Sequence, residues 1–216
     1  FPDASLPAAM EAEPGDLLLF VADPDPGIVA WSLGAVRPAV ARARDLIPEQ
    51  GFAACFVVDF PLFFPGESEG VWEPAHHPFT SPLEQDLGLL DSAPGKVRAR
   101  SYDPVLNGVE LGSGSIRIHR PEIQEAVFRA MRIPPEEAKL KFGFLLKVLR
   151  FGAPPHGGIA LGLDRLAMLL CGVGSIREVI AFPKTAKAVD LMSGSPSGID
   201  PEQLAELGLK LREEML

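Results

Sequence analysis

Residues 101–118 read SYDPVLNGVELGSGSIRI, and they decide the architecture. Two β-prone runs flank Asn107-Gly108, and both of those residues tolerate the positive φ of a type I′ turn. The stretch therefore predicts two antiparallel strands joined by a two-residue loop. In that register Leu106 faces Val109, Val105 faces Glu110 and Asp103 faces Gly112. Cross-strand partners share a face and so do alternate residues, which sets Asp103 and Glu110 diagonally on one side. Two carboxylates so placed repel each other unless a cation lies between them. Mg²⁺ carried by a phosphate-bearing ligand suits such a pair, because it takes only one or two protein carboxylates. A hairpin whose acids simply face water is the other reading of the same geometry. Arg117 lies seven residues beyond Glu110, so a regular strand points it to the opposite face. If both serve one ligand, a bulge within Gly112-Ser113-Gly114 has to change the parity.

Outward from the hairpin, the pattern alternates between strand and helix. "PGDLLLFVAD" (14–23) reads as a buried strand, "PDPG" (24–27) as a turn and "VAWSLGAVRPAVARARDL" (29–46) as a helix containing a proline. "IPEQGF" (47–52) is a boundary, followed by the β-prone "ACFVVDFPLFF" (54–64). Residues 70–100 read mostly as loop, with a weak helix near 83–90. Helices follow at 121–131 and 135–151, each opening on Pro-Glu, a favourable start. "IALGL" (159–163) reads as a short strand leading into an apolar helix, and "EVIAFPK" (178–184) and "LGLKL" (207–211) as two more strands. Strands linked by hairpins, with helices grouped between them, predict an α+β fold on a mainly antiparallel sheet flanked by helices.

Composition narrows the function classes. The 216 residues suffice for one large or two small domains, and the net charge of −9 argues against a general polyanion binder. A local basic surface stays open, for example at Arg37, Arg42 and Arg44. No apolar run is long enough to cross a bilayer as a helix, so no membrane partner is expected. The chain starts at Phe1 without a targeting signal, which suggests a segment of a longer cytoplasmic protein. Cys55 and Cys171 sit in apolar runs and are expected to be buried, reduced thiols. No Walker-type loop or nucleophile elbow is present. "HHPFT" (76–80) pairs two imidazoles, which is not by itself a zinc site; surface connection and binding loop both fit it. In "GLDRLAMLL" (162–170) Arg165 falls in the first turn of a helix, where a cation is unfavourable. It needs a bound anion, or Asp164, to offset that cost.

Taken in order, "VVDFPLF", "HHPFTSP", "YDPVLNGVELGSGSIRIH", "KFGFLLKVLRFGAPPHGGIALGLDRLAMLL" and "SIREVIAFPKT" resemble the C-terminal part of the bacterial-type aspartyl-tRNA synthetases, a class II family. "GIALGLDRL" is similar to class II motif 3. The resemblance implies that 51–216 form the C-terminal half of the class II catalytic domain, and that 1–50 end an inserted α/β domain. It implies ATP and Mg²⁺ as cofactors, L-aspartate as substrate, tRNA-Asp as acceptor with tRNA-Asn left open, and a homodimer. The reaction would be activation of aspartate to aspartyl-adenylate, then transfer to the tRNA 3′ end. Residue by residue, Arg165 would contact ATP together with Gly162, Leu163 and Asp164. Glu110 would contact ATP and Mg²⁺ with Asp103 as its partner carboxylate, leaving Arg165 and Glu110 as the catalytic pair. Arg117 would bind the aspartate side chain, and His76 would face the substrate beside His77. Ser113 stands where the family usually has glycine, and Pro104 where it usually has leucine, which predicts an edge or bulged strand. The family's motifs 1 and 2 and its anticodon-binding barrel are missing from these residues, so the segment alone is expected to be inactive. A catalytically silent fragment acting as a binding module is the alternative.

Overall fold

The computed structural model describes residues 5–68 and 70–211. Two compact units divide the chain, one ending at Gly51 and the other beginning at Phe52.

The first unit holds α1 (Ser5–Ala9) and α2 (Pro26–Ala43). Asp25 caps α2 by accepting the Gly27 N–H at 2.7 Å, and Pro26 takes the first helical position, where no N–H is needed. Pro38 sits inside the helix, as read from the sequence. Residues 14–23 form no strand, contrary to their pattern. An apolar run supplies a face but not a neighbouring edge, and an unpaired strand leaves its backbone groups without a ladder.

In the second unit, β1 (Ala54–Val58) is followed by the small ribbon of β2 (Phe63–Pro65) and β3 (Trp72–Pro74). The hairpin supplies β4 (Ser101–Leu106), β5 (Val109–Glu110) and β6 (Gly112–Ile116). Helices α3 (Pro121–Ala130) and α4 (Pro135–Leu149) lead to β7 (Gly157–Leu161), α5 (Leu163–Leu170) and α6 (Pro201–Glu206). The main sheet runs β1-β4-β6-β7 with β5 beside β4, every pair antiparallel. This is the expected α+β arrangement. The strand read at 159–163 begins two residues earlier, at Gly157, so that Leu163 already opens α5. Residues 178–184 and 207–211 form no strand, for the reason given for 14–23. The weak helix near 83–90 is a 3₁₀ helix, Glu84–Leu89.

The core lies beside the sheet rather than beneath all of it. Leu62, Phe63, Leu90, Val97, Ala99, Ile118, Ile123 and Val127 pack together, joining the ribbon and the 80–100 stretch to α3. Asp86 pins that stretch: its carboxylate accepts from Arg98 Nε (2.9 Å), Nη2 (3.1 Å) and backbone N–H (3.0 Å). Those bonds hold the Asp86 carboxyl below the usual carboxylate range. Phe128 of α3 and Phe142 of α4 stack with ring centroids 5.4 Å apart, and Phe79 meets both edge-on. The thiols depart from expectation: Cys55 and Cys171 are both exposed. Every residue of β1 is exposed, so the apolar neighbours of Cys55 in sequence do not cover it.

Candidate functional site

Asn107 and Gly108 adopt φ of 49° and 78°, the positive values a type I′ turn requires. The tip is also tied to the start of β1, since Asn107 N–H donates to the Ala53 carbonyl and Ala53 N–H to Asn107 Oδ1. Beyond the tip the register runs as read, Leu106 opposite Val109 and Val105 opposite Glu110. It then slips. Tyr102 pairs with Gly114 and Ser101 with Ser115, so residues 110–114 span the same length as residues 102–105. The extra residue falls at 111–113, and the expected pairing of Asp103 with Gly112 is therefore not formed. A bulge of this kind reverses parity. Ser113 and Ser115 now share the face of Ser101 and Asp103, and Arg117 continues it.

Pro104 sits where its ring costs least. It is on a central strand, not an edge, and its carbonyl accepts the Leu111 N–H at 2.8 Å. In an antiparallel strand a residue's N–H and C=O point to the same neighbour, so the missing N–H falls at the bulge, where the ladder is already interrupted. Gly114 is needed for a different reason. A Cβ there would run into the Tyr102 ring and the Gly158 carbonyl of β7.

The bulge also receives α5. Gly162, the N-cap, donates its N–H to the Leu111 carbonyl at 2.6 Å. Arg165, in the first turn, donates from Nη1 to the Glu110 carbonyl at 2.6 Å and to Glu110 Oε1 at 3.2 Å. Its partner is thus Glu110 across the turn and not Asp164 beside it. Both side chains are about half exposed, 46% for Arg165 and 52% for Glu110, so the pair is worth at most ~1 kcal/mol. Leu163 and Asp164 are exposed on the same turn. Asp103 behaves differently: it is buried, and its Oδ1 has no hydrogen-bond partner.

A cavity of about 520 Å³ opens on the same face. His76, His77, Ser101, Ser115 and Arg117 line it, together with Gly158, Ile159 and Ala160 of β7. Arg117 is held on both sides: it bridges Thr80, and its N–H donates to the His156 carbonyl at 2.9 Å. Its guanidinium Nη1 meets the imidazole nitrogens of His77. The His77 pKa is lowered from its ordinary value, first by burial, then by the charge of Arg117 and by His76. His76 instead sets its ring edge-on to Phe60, with centroids 5.5 Å apart. Ser113 also lines the cavity, and it pairs with Ala160 of β7.

The structure thus brings His76, His77 and Arg117 around one cavity, and Glu110, Gly162 and Arg165 around one turn. Among the described residues no cluster of three or more metal-binding side chains forms. The serines were missed by inspection of motifs. Their signal was the period of two along β4 and β6, legible only once the bulge position is known. A larger cavity, about 980 Å³, lies between α3 and α4 and contains none of these residues.

Comparison with known proteins identifies the family. Residues 10–186 match the family model for tRNA synthetases class II (D, K and N). The aspartate–tRNA(Asp/Asn) ligase of Natranaerobius thermophilus is 55% identical over 201 residues, 93% of this chain and 34% of the relative. That of Desulfatibacillum aliphaticivorans is 52% identical over 98% of this chain and 35% of the relative. The aspartate–tRNA ligase of Listeria monocytogenes is 51% identical over 96% and 35%. The chain spans about a third of the length of the curated relatives it matches. With the family match extending over residues 10–186, the chain belongs to the class II tRNA synthetases of the D, K and N group.

Proposed function

We propose that the complete protein is an aspartate–tRNA ligase, and that residues 52–216 form one wall of its site for aspartate and ATP. The register slip at 111–113 carries the reading, because it sets Arg117 on the face shared by Asp103 and Glu110. In this reading the Arg117 fork grips the substrate's side-chain carboxylate through paired charge-assisted bonds, which the neutral amide of asparagine cannot match. His77, kept neutral by burial and by Arg117, adds no second full charge to the cavity.

Arg165 answers to the nucleotide. Its weak, half-exposed bond to Glu110 holds the guanidinium in place yet yields at low cost when a phosphate or a planar ring offers a better partner. The donor set fits Mg²⁺, since the orphaned Oδ1 of Asp103 and the exposed Glu110 carboxylate offer hard oxygens. Bound with ATP, the ion neutralises phosphate charge. The chain's own contribution is alignment and fixed positive charge, in keeping with a reaction that needs little covalent help. The acceptor would be tRNA-Asp, with tRNA-Asn a second acceptor favoured by the names of the N. thermophilus and D. aliphaticivorans relatives. We place the enzyme in the cytoplasm as a homodimer; among the described residues no helix is long and apolar enough to cross a membrane.

The test is ATP–pyrophosphate exchange by the complete protein, followed by aminoacylation of both tRNAs. Exchange should depend on aspartate and not on asparagine, and the 216-residue segment alone should give none. Equal exchange with asparagine would sink the reading.

A further inference from the structure

Gln124 is an anomaly on α3. It sits on the buried face with Ile123, Val127 and Phe128, and it is 0% exposed. A buried amide needs partners, and this one has half of them. Nε2 donates to the Pro78 carbonyl at 2.7 Å, while Oε1 has no partner. A glutamine retained for packing alone would be matched by an apolar side chain of its volume.

What it grips is the turn that carries the histidines. His77–Thr80 is a turn closed by Thr80 N–H donating to the His77 carbonyl at 3.3 Å, with Pro78 in the position its fixed φ favours. Phe79 N–H donates to His77 Nδ1 at 3.2 Å, so the imidazole folds back over its own turn and toward Arg117. The exit of the turn is stitched to the strand end: Ile118 N–H donates to the Phe79 carbonyl at 2.9 Å and Ser81 N–H to the Ile116 carbonyl at 2.8 Å. Those bonds secure Phe79 onward. Gln124 secures the peptide just before it, from the α3 side.

We infer that Gln124 is a positioning residue for the amino-acid cavity, fixing the 77–80 turn and through His77 the orientation of the Arg117 guanidinium. The inference rests on the aspartate reading above. It accounts for a polar residue in the core, for its reach across 46 residues of sequence, and for its choice of the Pro78 carbonyl.

The experiment is Gln124→Met in the complete protein, which keeps the side-chain volume and removes the donor. The aspartate KM in ATP–pyrophosphate exchange should rise on the order of tenfold, while the ATP KM stays within about twofold and the melting temperature changes little. Introducing the change into His77→Ala should then add nothing, because the route through His77 is already cut. An unchanged aspartate KM, or a parallel rise for ATP and aspartate, overturns the inference. Should the methionine variant not fold, Gln124→Leu, which also removes the donor, is judged by the same criterion. If neither folds, Gln124 is scaffold only and the inference falls. Wild-type exchange that does not require aspartate would instead defeat the functional reading, which separates the two failures.

Discussion

His77 carries the clearest pH signature at the scale of single residues. Its folded pKa lies below the ordinary 6.5, so the unfolded chain takes up a proton first as pH falls. Stability should therefore decline as pH drops from about 6.5 through the lowered folded value, then level off. Denaturant melts between about pH 7.5 and 5 measure this, and His77→Gln should flatten that leg. An equally steep decline in the variant would show that another group is responsible. Asp86 acts lower on the scale: its depressed carboxyl stabilises the fold above the unfolded value of 3.8, and that contribution is lost only as pH falls through its folded pKa. The two legs are separable. Arg117→Lys tests the fork, since a point charge replaces paired donors. The aspartate KM should rise on the order of tenfold with the ATP KM little changed, and a uniform loss would point to misfolding.

At the scale of elements, the hairpin and its bulge are the unit on which the proposed site depends. Deleting Ser113 removes the extra residue, restores the simple register and turns Arg117 to the opposite face. Aspartate-dependent exchange should then fall on the order of hundredfold or more. Retained activity would mean that the slip is incidental. Gly114→Ala tests packing between β4, β6 and β7; its Cβ would meet Tyr102 and the Gly158 carbonyl, at a cost of about 1–3 kcal/mol by denaturant melt. Much of this unit was legible beforehand. Asn107-Gly108 specifies the turn through a local backbone preference, and Gly112-Ser113-Gly114 shows where a bulge could form. The apolar runs at 14–23, 178–184 and 207–211 were misread for the opposite reason. An apolar run, continuous or alternating, offers a surface to bury, but a strand exists only where another edge accepts its hydrogen bonds.

For the molecule as a whole, the sheet is covered at its centre but not along its two edge strands. Among the described residues β1 and β7 end the sheet, and both are exposed along their full length, with Phe56 at 64% and Leu161 at 60%. Such surfaces are uncommon on an isolated soluble domain, and they accord with a chain that spans about a third of its curated relatives. The isolated segment should bind a hydrophobic dye strongly and self-associate in sedimentation, whereas the complete protein should bind the dye weakly. A monodisperse, dye-silent segment would show that these faces need no cover.

By itself the sequence determined what is local: the turn at Asn107-Gly108, the Pro-led helices and the order of residues that marks the family. Tertiary structure decided the partnerships. It paired Arg165 with Glu110 rather than Asp164, aimed His77 rather than His76 at Arg117, left Cys55 and Cys171 exposed, and set Gln124 on the Pro78 carbonyl. Short-range φ preferences are properties of a few neighbouring residues and can be read from them. A contact that closes a loop of dozens of residues depends on where every intervening element packs, and no stretch of sequence states that alone.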